Sequence, residues 1–500
     1  MSLPKTTKGW AVVGQGSFDN LKFDTQQPLP ELSDNEVLVK FHAASLNFRD
    51  IMIAQGTYPF DVKANIIPGS DGAGEVVAIG KKVTRFQEGS KVMTLFMQAY
   101  FGGPLTPKVL GSAVGGSVDG TMREYGVFNE NGLVDMPKNL SYLEAATLPC
   151  SALTAWNALY GLRTVLPGDW VLTQGTGGVS ISALQFAKAA GARVVATTSS
   201  TAKAQKLREL GADHVINYKE IPNWGEEAKR LTEGGVDHVL EVGGAHTITE
   251  SLKAVNIGGY VTIIGWIAGP GETGPSFPQI LSSMAVVRGI VVGSRDQFEA
   301  MIRAIEASDI QPVLDQQVFK LEELKDAYQY LVDQKHFGKV FAKAAGARVV
   351  ATTSSTAKAQ KLRELGADHV INYKEIPNWG EEAKRLTEGG VDHVLEVGGA
   401  HTITESLKAV NIGGYVTIIG WIAGPGETGP SFPQILSSMA VVRGIVVGSR
   451  DQFEAMIRAI EASDIQPVLD QQVFKLEELK DAYQYLVDQK HFGKVVIKIE

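Results

Sequence analysis

Up to about Val134 the chain strings together short apolar runs separated by glycines. "GWAVVG", "EVLVKFHAASL", "GAGEVVAIG", "SKVMTLF" and "TMREYGVF" are the runs expected of half-buried strands, and a series of them predicts a barrel-like β domain. Residues Met97 to Gly120 keep no period and are rich in glycine, which predicts a mobile loop. From Leu140 the rhythm changes. "DWVLTQ", "ARVVATT", "DHVIN", "VDHVLEVG", "YVTIIGW" and "AVVRGIVVG" are strand candidates, with helical stretches such as "SISALQFAKAAG" and "STAKAQKLRELGA" between them. That alternation predicts an α/β fold with a doubly wound parallel sheet. After Gly293, "DQFEAMIRAIEAS" and "LEELKDAYQYLVDQ" carry the spacing of amphipathic helices.

The same pattern then returns letter for letter. Phe186–Val340 is repeated as Phe341–Val495, a period of 155 residues, and only "VIKIE" follows. Setting one copy aside leaves 345 of the 500 residues as distinct sequence. The period is far too long for a solenoid unit. The second copy starts in mid-helix and lacks "DWVLTQGTGGVSISALQ", the first strand and following turn of the sheet. Strand one sits centrally in a doubly wound sheet, so the second copy cannot complete one alone. Both copies compete for a single first strand. Copy one is joined to it directly, whereas copy two would have to loop out a whole repeat, at ~4–5 kcal/mol on the length term alone. Copy one is therefore expected to complete the sheet. Copy two is expected to be a partly ordered appendage resting against copy one's edge strand, with its authentic ending "GKVVIKIE" able to dock from a distance. Perfect identity points to a recent duplication or a gene-model error rather than a second selected function.

Composition narrows the classes. A net charge of −8 gives no nucleic-acid footprint. The single cysteine, Cys150, excludes a disulfide framework and a thiolate-rich zinc site. No signal core opens the chain and no apolar run is long enough for a bilayer, so a cytoplasmic protein with no membrane partner is expected.

The chemistry begins at "VLTQGTGGVSISALQ", where Gly175, Thr176, Gly177, Gly178 and Val179 link a buried strand to a helix. Glycines there let the backbone approach a pyrophosphate at the helix N-terminus. Ser180 stands at the third glycine position, so the motif alone is weak, but strand, turn, helix and second strand follow in the order of a dinucleotide site. NAD sites usually carry an acid at the end of the second strand. Here the chain reads Thr197, Thr198, Ser199, Ser200, Thr201 and then Lys203. Hydroxyls and an ammonium suit a 2′-phosphate, which favours NADP(H); a helix cap would account for Ser200 or Thr201 alone.

"GSDGAGEVVAIG", "SLNFRD", "LPCSALTAWNAL", "GTGGVS" and "VINYKE" together resemble the medium-chain dehydrogenase/reductase family, in its zinc-free, quinone-oxidoreductase-like branch. Gly69, Gly74 and Gly80 keep the family spacing, while Ser70 and Asp71 replace its His and Glu. The resemblance covers all the distinct sequence. It implies a GroES-like catalytic domain over 1–134, a Rossmann NADP-binding domain over 135–293 and C-terminal helices packing on the catalytic domain over 294–340. The duplicated segment fills 341–500, a partial Rossmann part to 448 and a C-terminal part from 449.

Positions matching the zinc ligands of the metal-dependent branch are Asn47, Ser70 and Cys150, of which only Cys150 keeps ligand chemistry. No metal is expected, and Cys150 reads as a small packed thiol. Without zinc, hydride transfer is easier onto an acceptor that delocalises its own charge, an α,β-unsaturated carbonyl or a quinone. The resemblance nominates Asn47, Asp50, Tyr58 and Thr154 for the substrate and nicotinamide side, with Asn47 and Tyr58 as donors to a carbonyl oxygen. The bland alternatives are that Asp50 orients its loop and Tyr58 packs in a turn. Gly243, Gly244 and Gly265 are implied beneath the nicotinamide, Lys203 and Tyr218 by the adenosine phosphate, and Ser294 and Arg295 on the far side of the cofactor. His42, in an apolar strand run, reads as structural. The family also implies a homodimer through the edge near Ala285–Gly293. Metal-free alcohol or aldehyde dehydrogenation, and NADPH binding without turnover, are the competing functions.

Overall fold

The computed structural model describes residues 3–14, 16–266, 275–314, 319–332, 350–353, 369–387, 389–400, 402–419, 430, 432–444, 469–475, 478, 481 and 494–498. The chain divides into two units, one comprising 1–348 with 383–444 and the other 349–382 with 445–500. The expected boundaries at Phe341 and at 448 lie outside the described residues.

The first unit opens with the antiparallel pair β1 (Thr6–Val12) and β2 (Leu21–Pro28). Strands β3 (Glu36–Ser45), β4 (Asp71–Ile79), β5 (Lys91–Thr94), β6 (Tyr125–Asn129) and β7 (Leu133–Asp135) form an antiparallel sheet in the order β6-β3-β4-β5-β7. Strands β2 and β7 carry no apolar alternation that the sequence reading recognised. Helix α1 (Phe48–Gln55) follows β3, and the short helices α2 (Pro107–Leu110) and α3 (Tyr142–Ala145) flank the last strands. The segment read as a mobile loop is packed instead. Met97, Tyr100, Leu105, Val109, Ala113 and Val114 are buried, and isolated bridges join Met97 to Ala113 and Val114 to Val118. Its apolar residues fit an irregular turn structure, which has no period to read.

The parallel sheet is built from β8 (Trp170–Gln174), β9 (Arg193–Thr198), β10 (His214–Asn217), β11 (Val236–Glu241), β12 (Val255–Ile263) and β13 (Val286–Gly289). Their order is β10-β9-β8-β11-β12-β13, the doubly wound order with a switch point between β8 and β11. Every residue of β8 is buried, as a central strand covered on both faces requires. Helices α4 (Leu153–Tyr160), α5 (Gly178–Ala189), α6 (Thr201–Glu209), α7 (Trp224–Leu231), α8 (Ile248–Ala254) and α9 (Phe277–Ser283) alternate with the strands. Helix α10 (Arg295–Ala307) packs against α4 and β7, and α11 (Leu324–Val332) against α1. One core runs from Met93, Leu95 and Phe96 through Leu153 and Leu184 to Phe298 and Met301, so the antiparallel and parallel sheets are held by shared packing. Among the described residues no helix is long and apolar enough to cross a membrane.

Copy two is split between the units. In the second unit, β14 (Val350–Thr353) pairs with β15 (His369–Asn372), the counterparts of β9 and β10. In the first, β16 (Val391–Glu396), β17 (Val410–Ile418) and β18 (Val441–Gly444) repeat β11, β12 and β13 and extend copy one's sheet as β13-β18-β17-β16. Only the β13–β18 pairing is antiparallel. Helices α12 (Trp379–Leu386), α13 (Ile403–Ala409) and α14 (Phe432–Ser438) repeat α7, α8 and α9. The terminal β20 (Lys494–Lys498) pairs with β19 (Leu469–Lys475) of its own copy, rather than reaching back to copy one.

Candidate active site

At the end of β8 the chain turns on Gly175, whose φ of +71° is a left-handed conformation that glycine adopts without strain. Gly177 then caps α5 in extended backbone, with no side-chain cap on the helix. A Cβ placed on Gly175 or Gly177 meets nothing within 4 Å. At Gly177, where φ is negative, neither packing nor backbone strain demands glycine. The open space lies where uncapped N–H groups and the positive helix end meet, which fits a pyrophosphate. Ser180, at the third glycine position, donates its hydroxyl to Gln174 O at 2.7 Å and so ties α5 to its strand.

Two residues that the sequence reading passed over lock the switch point. Gln174 Oε1 accepts from the N–H groups of Val242 and Gly243, both at 3.1 Å. Its Nε2 donates to Glu241 Oε2 and Ser251 Oγ, both at 2.8 Å. Glu241, wholly buried, also accepts from Gly243 N at 2.8 Å, Gly244 N at 3.0 Å, and Thr247 Oγ1 and Ser251 Oγ at 2.6 Å. Burial raises its carboxyl pKa, against the pull of these donors. The available signal was a polar residue closing each of two apolar strands. Gly265 stands beside this turn, its added Cβ 3.7 Å from Val242 O.

On the other side of β8, β9 ends in buried Thr197 and Thr198. Ser200 caps α6 by accepting from Lys203 N at 3.4 Å, so the cap reading holds for that hydroxyl. Tyr218 N donates to Thr198 O at 3.0 Å, which brings its exposed ring to the same rim as Ser199 and Lys203. No carboxylate occurs between Thr197 and Lys203.

The substrate-side residues gather at the start of α1. Asp50 Oδ2 accepts from Asn47 N at 2.8 Å, the helix-capping arrangement, so this carboxylate shapes its own loop. Asn47 Nδ2 donates to Ser70 Oγ at 3.1 Å, and Ser70 in turn donates to Asp71 Oδ1 at 2.8 Å. The amide atom left open is the acceptor Oδ1, buried without a partner. The same Nδ2 carries a second N–H, so the donor role expected of Asn47 toward a carbonyl oxygen stands beside this acceptor. Tyr58 OH accepts from Arg49 Nε at 3.4 Å and keeps its own proton to donate. Arg49, also passed over, lies 5.1 Å from the Tyr58 ring centre and 4.7 Å from that of Phe96, and donates to Val114 O at 2.9 Å. It pins the Met97–Gly120 segment to α1.

Thr154 follows a π-helical turn at Leu148–Ala152 and donates to Cys150 O at 3.0 Å. Cys150 itself is buried. Ser294 caps α10, accepting from Gln297 N at 3.2 Å. Arg295 NH1 donates to Asn131 Oδ1 at 3.1 Å, and the guanidinium lies over Phe101. Arg295 thereby fastens α10 to the catalytic domain, while Ser294 shapes the start of its own helix, roles the sequence reading did not assign. His42 stacks on Tyr142 at 4.4 Å. The three positions matching zinc ligands hold an amide and a hydroxyl bonded to each other and one thiol, a donor set that does not fit zinc. Among the described residues no three His, Cys, Asp or Glu side chains are grouped to hold a metal.

The family model for zinc-binding dehydrogenases matches twice, over residues 178–307 and again over 337–462. The alcohol dehydrogenase GroES-like domain matches residues 33–138. The chain belongs to the zinc-binding dehydrogenase family. This dehydrogenase-family chain is 46% identical over 333 residues to a zinc-type alcohol dehydrogenase-like protein of Schizosaccharomyces pombe, covering 65% of the chain and 96% of that protein. A 2-methylene-furan-3-one reductase of Solanum lycopersicum is 30% identical over 343 residues, covering 68% and 80%. A solved Sinorhizobium meliloti protein assigned to the alcohol dehydrogenases matches at a TM-score of 0.63 and 37% identity, covering 68% and 99%. Two thirds of the chain is about what remains when one copy of the repeat is set aside. The protein is accordingly an oxidoreductase of the medium-chain dehydrogenase/reductase type.

Proposed function

We propose that this dehydrogenase-family protein is an NADPH-dependent, zinc-independent reductase acting on α,β-unsaturated carbonyls or quinones. The observation that carries the reading is the Asn47–Ser70 hydrogen bond. Two positions that would hold zinc in the metal-dependent branch are hydrogen-bonded to each other, leaving no Lewis acid for a developing alkoxide, a loss of several kcal/mol. An enone or quinone spreads that charge over its own conjugated atoms and needs less help. Bound at the Gly175 turn, NADPH would supply the hydride. The Tyr58 hydroxyl is a donor available to the acceptor's oxygen, where negative charge develops. The acid-free rim of Ser199, Ser200, Lys203 and Tyr218 supports NADPH over NADH. The Solanum relative, by name a 2-methylene-furan-3-one reductase, supports the substrate class.

A second reading, metal-free alcohol or aldehyde dehydrogenation, is favoured by the open acceptor Asn47 Oδ1, which suits a substrate hydroxyl, and by the alcohol dehydrogenase assignment of the Sinorhizobium structure. Cofactor oxidation with NADPH or NADH against quinones, enones and simple ketones, before and after chelation, separates the two. Quinone or enone turnover with NADPH that survives chelation is expected. Turnover of simple ketones or alcohols alone, or activity abolished by removing stoichiometric zinc, would overturn the proposal.

A further inference from the structure

The sixth and seventh strands of the nine-stranded sheet are identical and meet antiparallel. Val286 faces Arg443, Val287 faces Val442 and Arg288 faces Val441. Under the 155-residue offset these contacts map onto themselves, with Val287–Val442 at the pivot. The layer above obeys the same relation. A Cβ on Gly289 would meet Leu436 O at 2.9 Å, and one on Gly444 would meet Leu281 O at 2.7 Å. Helix α14 packs on β13 and helix α9 on β18. Ile280, Ala285, Val287, Ile435, Ala440 and Val442 lie in one buried cluster. Each contact recurring with its partners exchanged is the mark of an isologous two-fold interface, found here inside one chain.

We propose that the repeat fills the face formed by β13 and α9 in cis, in the way a second copy of that face would, and so closes it to any other chain. The 500-residue protein is then a monomer whose association surface is permanently occupied. Its fitting partner is another copy of the same face, because that is the occupant whose side chains interdigitate there. An unpaired apolar edge strand would otherwise recruit a strand from elsewhere.

The test uses the full chain. Facing residues of antiparallel strands are about 4.5–5.5 Å apart at Cα, within reach of a disulfide, and the one native cysteine is buried. Val287→Cys with Val442→Cys should close an intrachain disulfide under mild oxidation, changing mobility on a non-reducing gel but not mass. Val287→Cys alone should give no covalent dimer, and light scattering of the unmodified chain should return the mass of one 53.7 kDa chain. Covalent dimers from Val287→Cys alone, or a dimeric mass for the unmodified chain, would show that a second chain takes the face. A monomeric double variant that leaves both thiols free would show that the repeat does not fill it. Either result overturns the proposal.

Discussion

Leu240 is 1% exposed and Leu395, the same residue one repeat later, is 69% exposed. The difference is what lies beside them. Leu240 pairs with Thr173 of β8, and copy two contains no counterpart of β8. Leu240→Ala should therefore cost about 2–4 kcal/mol, the usual range for a buried leucine. Leu395→Ala should stay within about 0.5 kcal/mol. Urea unfolding of the two variants, side by side in one chain, makes the comparison.

His238 follows the same logic. Its Nε2 lies 2.9 Å from Arg163 NH1, which can only donate, so the ring accepts and is neutral. Burial, reinforced by the Arg163 charge, lowers its pKa from 6.5 to about 3. Between those values the unfolded chain binds a proton that the folded chain refuses. This contribution to stability is thus complete above about pH 6.5 and is lost as pH falls toward 3. His238→Gln should flatten that part of the stability–pH curve relative to the parent, measured by urea midpoints from pH 7 to 4. An unchanged slope would mean that the imidazole is protonated in the fold.

Among the elements, strands with alternating or continuous apolar runs were legible: β3 and β8 to β11 lie within the predicted runs, whereas β4 starts one residue and β12 five residues before theirs. The edge run "AVVRGIVVG" is a strand over Val286–Gly289 only, because apolar content does not say where pairing stops. What escaped was held by side chains rather than by period. The Met97–Gly120 segment depends on Arg49, and the switch-point turn on Gln174 and Glu241, hydrogen-bond hubs that no spacing announces. The glycine turn and the acid-free strand end were readable, since each is a local chemical requirement. The direction of the Asn47 amide was not, because Ser70 sets it from 23 residues away. At this scale the rim formed by β9, α6 and β10 yields a clear expectation. Lys203→Ala should weaken NADPH by about 1–2 kcal/mol, the loss of one charge-assisted contact, and leave NADH nearly unchanged. Titration of cofactor fluorescence with each nucleotide reads the difference, and equal losses for both would remove the 2′-phosphate from the argument.

For the whole molecule, deleting Phe341–Val495 removes the repeat and restores "VVIKIE" to copy one. The resulting 345-residue chain should bind NADPH and turn over at least as well as the parent, since the Gly175 turn, Lys203, Tyr58 and Arg49 all precede the cut. Loss of binding or turnover on deletion would make the second copy part of the catalyst. The end of the extended sheet has a consequence of another kind. β16 is paired on one side only, and Glu396 keeps donors from Gly398, Gly399, Thr402 and Ser406 but has no counterpart of Gln174. A strand that shows Leu395 to water beside a missing neighbour is what chaperones and proteases survey for. The cost of saying the same thing twice should therefore fall on the protein's lifetime in the cell, with the repeated chain cleared faster than its shorter version while each surviving molecule works normally.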